Sequence, residues 1–580
     1  MVRVLLLLVA CATVNAALSS RVWRASNAGL PAVWPESTVD ELAMRSASGI
    51  CLSGGGSRSF VVSLGYLRAL LDIGVLNRTR YLVGTSGGAW ATTVFTFASR
   101  DAGFAADDDA LLGSIVAPSE LRLVNLRELN ATCARSAATA NFVTKVAGGI
   151  VTHGLDGAWI NAVEEIYLRA FGIDPGAYTA WSAATIADAI ARNPGLSAAG
   201  ARFVVPRDSS RPLPILSASL LGPKAMVPFE LASRAYATLE VSALAAGVPL
   251  VRNVTYTRKK PLMKATTEQR QVGGLVEPWA ALAPNGASPI DAGGLNDTVQ
   301  LSLSSNGSSV LSGLTVGVAT GVASYAPGDV VSSWSSLTAG LGYDELYWGP
   351  RTADEASASA TAPAAAETFV FGDGGNVVNP NLISLIQRGV QKILVCANFN
   401  VPLSPRSKWD PAVRVPTAAD IDNDIPAFFG VDVAKPTSAG YYLSNNQIFQ
   451  SADFAEVATA LQDAQAQGAG AIATTPLQTV ANDWWGIKAG MQLNITWLYL
   501  SRAAEWEAAL PQEVFAEAVN PSDPNCTDPT VLPTKGEFKH FPHYDTGSQI
   551  VQTNAMANLL ANLAGWTVHA NAHLLREALL

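Results

Sequence analysis

Three glycine-rich segments of this chain each hold a residue type that acyl-ester chemistry requires. Ser86 stands in Gly84-Thr85-Ser86-Gly87-Gly88, a Gly-x-Ser-x-Gly pattern. A serine hydroxyl set between glycines on a tight turn stands clear of its own backbone and can attack a carbonyl carbon. Gly54-Gly55-Gly56 offers backbone N–H groups with no side chain above them, as a developing oxyanion or a bound anion needs. Arg58, two residues beyond, adds a cation suited to a substrate phosphate or to the oxyanion. Asp373, in Gly372-Asp373-Gly374-Gly375, is a carboxylate able to accept the serine proton. Each has a plainer reading: a turn serine, a tight strand–helix connection, a surface ion pair and a turn cap. A dinucleotide site fits poorly, because Gly-x-Gly-x-x-Gly would need a glycine where Ser59 stands.

The elements that must position these groups are legible around them. Gly49-Ile50-Cys51-Leu52 is a short apolar run that stops at the first glycine loop. Val61, Leu64, Leu67, Leu70 and Leu71 then recur at helical spacing up to Gly74. Tyr81-Leu82-Val83 is a second short strand, ended by the second loop, with Ala89 to Ser99 suited to a helix. Such a helix aims its N-terminus at Ser86 and favours negative charge there. Two successive strand–turn–helix units predict an α/β fold with a mostly parallel central sheet flanked by helices. Further strands are predicted at Thr368 to Phe371, ending at the Asp373 turn, and at Lys392 to Cys396 and Asn494 to Leu500. The interval from about 100 to 290 is mixed, with an apolar run at Leu213 to Leu221 and a helical pattern at Ala184 to Arg192. Leu311 to Ala326, broken by Gly, Ser and Thr, predicts two buried strands around a turn. Ala353 to Glu367 is a low-complexity surface loop. With no internal repeat and no linker, residues 40–580 read as one domain, the interval 100–290 forming a large lid or cap insertion.

The ordered set of Ser53-Gly54-Gly55-Gly56-Ser57-Arg58, the Ser86 motif and Asp373-Gly374-Gly375 resembles the patatin-like and cytosolic phospholipase A2/fungal phospholipase B superfamily. Residues 49 to 95 are similar to the phospholipase A2 catalytic domain. Asp373-Gly374-Gly375 with Asn379 to Gln387, and Val272-Gly273-Gly274-Leu275-Val276-Glu277-Pro278, are similar to fungal phospholipase B. The resemblance implies a three-layer patatin-like core with Ser86 as nucleophile and Asp373 as its general base, a dyad without histidine. It further implies that the N–H groups of Gly55 and Gly56 form the oxyanion hole, that Arg58 sits by a phosphate, and that no metal or other cofactor takes part. The implied activity is hydrolysis of carboxyl esters of phospholipids or lysophospholipids at a membrane or micelle surface. Thr85 departs from the pattern, since the phospholipase A2 branch usually has an aliphatic residue there and patatins have Thr; head-group and acyl position stay open. No calcium-dependent targeting domain fits before Gly54, so calcium-independent activity is expected. Two rivals stand beside this reading: a Ser86–Asp373–histidine esterase drawing on His540 or His543, and a catalytically silent lipid-binding glycoprotein.

Composition is that of a globular protein. The 580 residues are 49% hydrophobic and only 15% charged, so a large core can form and disorder is excluded. A net charge of −9 argues against a nucleic-acid partner. Arg3, the apolar stretch Val4 to Ala12 and Val14-Asn15-Ala16 read as a signal peptide over residues 1–16, too short in its apolar core to span a bilayer. Seven Asn-x-Ser/Thr sequons, at Asn77, Asn130, Asn253, Asn296, Asn306, Asn494 and Asn525, favour a glycoprotein that is secreted or held in an endomembrane lumen. Five cysteines exclude a disulfide scaffold. Cys51 and Cys396 lie in apolar strands, and Cys133 with Cys526 form a candidate pair.

Overall fold

The computed structural model of the protein describes residues 18–24, 29–102, 106–128, 142–226, 236–258, 266–282, 288–290, 298–302, 313–326, 343–350, 366–431, 441, 443–519, 528–545 and 551–580. The signal peptide, most of the 353–367 segment, both members of the candidate Cys133–Cys526 pair and four of the sequon asparagines lie outside them. The other three, Asn77, Asn253 and Asn494, are exposed.

The centre of the fold is parallel sheet. Ser46–Leu52 (with Leu18–Trp23 before it as β1, this strand is β2) lies between Thr79–Thr85 (β3) and a later strand. On its far side β3 pairs in parallel with Leu213–Pro223 (β4). Four strands continue the sequence order: Ala237–Ser242 (β5), Ala246–Arg258 (β6), Thr266–Val276 (β7) and Glu367–Asp373 (β8). The later neighbour of β2 is Lys392–Ala397 (β9), which also pairs in parallel with Gln492–Tyr499 (β11), and Ala471–Gln478 (β10) closes that edge antiparallel. The central strands carry near-continuous buried runs, every residue of β4 included, as expected when both faces are covered. Beyond β4 the sheet turns antiparallel through β5, β6, β7 and β1. The predicted parallel sheet therefore holds at the centre, and the antiparallel strands extend it.

Two features of this topology set the site. First, β5 covers one edge of β4 from Ile215 to Leu220. The opposite edge is shared by two strands that meet tip to tip: β3 arrives parallel, its Thr85 paired with Ser217, and β8 arrives antiparallel, its Asp373 paired with Ala218. Second, Gly56–Asp72 (α1) and Gly87–Phe97 (α2) start directly from the β2 and β3 loops and pack on one another. The penultimate helix, Asn554–Ala570, covers α1; a Cβ on Gly65 would stand 2.4 Å from the Ala561 carbonyl.

The structure differs from expectation in two places. Residues 316–322 form a helix, Val316–Val322 (α3), where two strands were predicted. Thr315 caps it, its hydroxyl accepting from Val318 N at 3.3 Å, and Thr320 and Ser324 turn their hydroxyls back onto carbonyls one turn earlier. Small polar residues that looked like strand breakers are thus satisfied within a buried helix. The interval 100–290 is not all insertion, since β4 to β7 belong to the main sheet, and β1 extends that sheet ahead of residue 40.

Candidate active site

Ser86 is the residue between β3 and α2, and its backbone is the first thing that marks it. It adopts φ 51°, ψ −121°, one of three non-glycine residues with positive φ among those described. That region costs a side-chain-bearing residue on the order of 1–3 kcal/mol and persists only where the surroundings impose it. Here the Ser86 N–H donates to Ala323 O at 3.1 Å, and the Ser86 carbonyl accepts from Ala89 N at 2.8 Å and Trp90 N at 3.2 Å. The sharp turn leaves Ser86 half-exposed between buried neighbours.

Glycines around it are dictated by contact. A Cβ on Gly87 would lie 2.1 Å from Gly56 O, one on Gly88 2.4 Å from Leu52 O, and one on Gly54 2.8 Å from the Ser86 Cβ. The two glycine loops therefore touch backbone to backbone, with the first lying over the nucleophile candidate. Gly55 and Gly56 have φ 129° and 52°, conformations that suit glycine. Gly56 begins α1 and Gly87 begins α2, so two helix N-termini, each with N–H groups lacking intrahelical acceptors, converge beside Ser86.

Asp373 ends β8 and is 6% exposed. One carboxylate oxygen accepts from Gly375 N at 2.7 Å, the Asp373 N–H donates to Tyr325 O at 3.1 Å, and its carbonyl accepts from Ser219 Oγ at 2.8 Å. The Ala323 carbonyl that takes the Ser86 N–H also takes the Gly374 N–H, at 3.3 Å. One carbonyl thus ties the Ser86 turn to the Asp373 turn. Together with the tip-to-tip register on β4, this brings the two turns side by side.

A residue not singled out from the sequence as part of the site joins them. Asn379 Oδ1 accepts from Gly54 N at 2.5 Å, and its side chain lies against Gly375, 3.6 Å from where a Cβ would stand. It links the glycine loop over Ser86 with the turn that holds Asp373. The signal for it was an Asn six residues past Asp373, before a proline.

Arg58 is placed differently from the phosphate contact that was expected. It is 3% exposed, its Nε donating to Asn398 O at 2.9 Å and its Nη1 to Tyr544 O. Its Nη2 lies against Gly55, 2.5 Å from the position a Cβ would take. The guanidinium thus stands behind the loop and holds it to the residue after β9 and to the C-terminal segment. Burial lowers it to about 10, so it remains charged at neutral pH. Asp422, on the chain leaving β9, is pushed up by burial and relieved by hydrogen bonding from Asp424 and by the Arg58 charge.

The histidines lie elsewhere. His543 is buried, its Nδ1 2.9 Å from Phe399 O, and burial, followed by the nearby Arg58 and Arg502 charges, lowers it to about 3. His540 is half-exposed and its N–H donates to Pro533 O. His569 pairs with Asp72 and His573 with Glu577. Among the described residues none of these four imidazoles bonds Ser86 or Asp373; the side chain of His153 is not described. No group of three or more metal-ligating side chains occurs among the described residues, and no described helix is long and apolar enough to cross a membrane.

Residues 50–203 match the family model for patatin-like phospholipases. No curated protein matches the chain. Among solved structures the chain is similar to human GIVD cytosolic phospholipase A2, with a TM-score of 0.39 and 11% identity over 94% of this chain and 62% of that one. It is similar to the same human protein in complex with methyl gamma-linolenyl fluorophosphonate, with a TM-score of 0.39 and 12% identity over 94% and 62%. With that inhibitor and terbium chloride the figures are 0.37 and 12% over 93% and 60%. The chain therefore spans about three fifths of the length of these structures.

Proposed function

We propose that the protein, whose residues 50–203 match the family model for patatin-like phospholipases, is a serine lipid acyl hydrolase that cleaves carboxyl esters of phospholipids or lysophospholipids through Ser86 and Asp373. The observation that supports this most is the shared edge of β4, where Thr85 and Asp373 oppose successive residues, Ser217 and Ala218. Successive strand residues are about 3.3 Å apart, so the hydroxyl that follows Thr85 and the Asp373 carboxyl start from neighbouring positions.

In the cycle that follows from this arrangement, Asp373 takes the Ser86 proton as Oγ attacks the ester carbonyl. Negative charge collects on the carbonyl oxygen, to which the N–H groups of Gly55 and Gly56 donate, an oxyanion-hole donor being worth roughly 100- to 1000-fold in rate. The two helix N-termini add to that field. Protonated Asp373 then gives its proton to the leaving alcohol. Water, deprotonated by the same carboxylate, releases the fatty acid from Ser86. The strained backbone of Ser86 serves this sequence by keeping the hydroxyl out of its own helix. Arg58 acts in this scheme as a buried brace for the oxyanion loop. The exposed sequons Asn77, Asn253 and Asn494 support passage through the secretory pathway with N-linked glycans.

The test is to incubate the purified protein with vesicles of dioleoyl phosphatidylcholine and, separately, micelles of lysophosphatidylcholine, with and without a calcium chelator. Fatty acid is released from at least one substrate, at a rate the chelator leaves unchanged. No release from either, together with no covalent labelling by a fluorophosphonate, would leave the silent lipid-binding reading in its place.

A further inference from the structure

The strand register that brings the two turns together stops short of Ser86 itself. β3 is held on β4 as far as Thr85, and at Ser86 the chain leaves the ladder with φ 51°. Beyond that point the last turn of α3 and the residues after it take over. A helix leaves its final carbonyls without intrahelical partners, and here the two turns take them. Ala323 O accepts from Ser86 N at 3.1 Å and from Gly374 N at 3.3 Å, and Tyr325 O accepts from Asp373 N at 3.1 Å. Ser324 stands between these two carbonyl-bearing residues, so the separation of the turns depends on where residues 323–325 are held.

Trp90, in the first turn of α2, holds them. Its backbone N–H donates to Ser86 O at 3.2 Å and its indole Nε1 donates to Ser324 Oγ at 2.8 Å. Trp90 and Ser324 are each 1% exposed, so water does not compete for this bond. The Ser324 hydroxyl lies 3.1 Å from both Thr320 O and Gly321 O; its proton goes to these carbonyls, which leaves a lone pair for the indole. The indole is itself fixed by stacking on Tyr167, with 4.1 Å between ring centroids and 15° between planes. The far end of α3 is anchored by Val316 N donating to Ala177 O at 2.8 Å and Gly317 N to Pro175 O at 3.0 Å. The contacts form a closed circuit. It runs from Ser86 N–H to Ala323, on to Ser324, across to the Trp90 side chain and back through the Trp90 backbone N–H to the Ser86 carbonyl.

We infer that Trp90 and Ser324 are positioning residues for hydrolysis, and that the indole–hydroxyl bond between them sets the distance at which Asp373 takes the Ser86 proton. The inference rests on the reading of Ser86 and Asp373 as nucleophile and general base. Neither side chain touches substrate in this role. The hydroxyls of Thr93 and Thr320, 3.1 Å apart, join the same two helices farther from Ser86; they keep α2 and α3 together without fixing residues 323–325. Without the indole bond, Ser86 moves with α2 while Asp373 moves with the 323–325 turn. Proton transfer needs hydrogen-bond reach, and a displacement of about 1 Å costs on the order of 100-fold.

The full chain and its variants are assayed with a chromogenic acyl ester over a range of concentrations, and separately with a fluorophosphonate, whose labelling rate reads the reactivity of Ser86 without turnover. Ser324→Ala folds, since the Thr93–Thr320 contact remains, and loses about 10- to 100-fold in kcat and in labelling rate, with KM within about twofold of wild type. Trp90→Phe, where it folds, falls as far. The double variant falls no further than the lower single one, because the same bond is removed in all three. Thr475→Val is the control for loss of such a bond elsewhere. It strips the hydroxyl that Trp497 Nε1 reaches at 3.1 Å between β10 and β11, lowers the unfolding temperature comparably and leaves kcat unchanged. Wild-type kcat in Ser324→Ala, with Ser86→Ala and Asp373→Asn inactive, would overturn the inference and leave the dyad standing. So would a loss confined to KM, or an equal loss of kcat in Thr475→Val. Activity retained in Ser86→Ala would remove the dyad and this inference with it.

Discussion

Replacing Gly87 by alanine places one methyl group where the fold has no space for it. Its Cβ would stand 2.1 Å from Gly56 O, 2.8 Å from Gly56 C and 2.9 Å from Gly56 N. All three are backbone atoms of the loop that lies over Ser86, and ordinary contact begins at 3.4 Å. The loop must withdraw by roughly 1 Å, a displacement that costs on the order of 100-fold when it separates reacting groups. Loss of an oxyanion donor adds up to 1000-fold. Overpacking of this kind costs about 1–3 kcal/mol of stability, which a large core tolerates. Gly87→Ala is therefore expected to fold, to unfold at a slightly lower temperature, and to lose at least about 100-fold in kcat/KM, mostly in kcat. The assay is hydrolysis of a chromogenic acyl ester at several substrate concentrations, with circular dichroism to verify the fold. Gly195→Ala is the control: it adds the same methyl to a helix where nothing lies within 4 Å and leaves the rate unchanged. A folded Gly87→Ala protein within threefold of the wild-type kcat/KM would show that the Gly55–Gly56 loop does not serve the nucleophile.

Two further substitutions probe the supports of the site. Asn379→Ala leaves the Gly54 N–H without its acceptor, so stability falls by about 1–3 kcal/mol in chemical denaturation and kcat falls with it; unchanged kcat would separate Asn379 from the loop it holds. His543 stays neutral in the fold down to about pH 3, whereas the unfolded chain takes up that proton near pH 6.5. Stability is therefore lost as pH falls between those values, by at most about 1.4 kcal/mol per unit. The buried carboxyl of Asp424, pushed up by burial and by Asp422, acts with the opposite sign, so the comparison is made against His543→Asn, which retains a donor for Phe399 O. Between pH 6.5 and 4 the variant is expected to lose roughly 2–3 kcal/mol less than wild type; parallel pH profiles would contradict a neutral buried imidazole.

Local elements were readable because their residues decide them. The apolar runs before Gly54, Gly84 and Gly372 became β2, β3 and β8, and the spacing of Val61 to Leu71 became α1. What no local pattern contains is the pairing of strands far apart in sequence. That β4 would share one edge between β3 and β8 follows from tertiary packing alone, and it is this that sets the Asp373 turn beside the Ser86 turn. The misread Val316–Val322 helix has the same cause, since its threonine and serine hydroxyls are satisfied internally and its buried face is set by α2, where Thr320 meets Thr93 at 3.1 Å. Arg58 is expected beside a phosphate because a cation after a glycine loop suggests an anion. Its burial depends on the carbonyls of Asn398 and Tyr544, which are 340 and 486 residues away.

The pairing of Ser86 with Asp373 is tested most directly by reacting the protein with a fluorophosphonate and following intact mass over time, with peptide mapping of the adduct. A single adduct on Ser86 is expected, absent in Ser86→Ala and formed about 100- to 10,000-fold more slowly in Asp373→Asn, the range for removing a general base. An adduct on another residue, or Asp373→Asn reacting at the wild-type rate, would contradict the account.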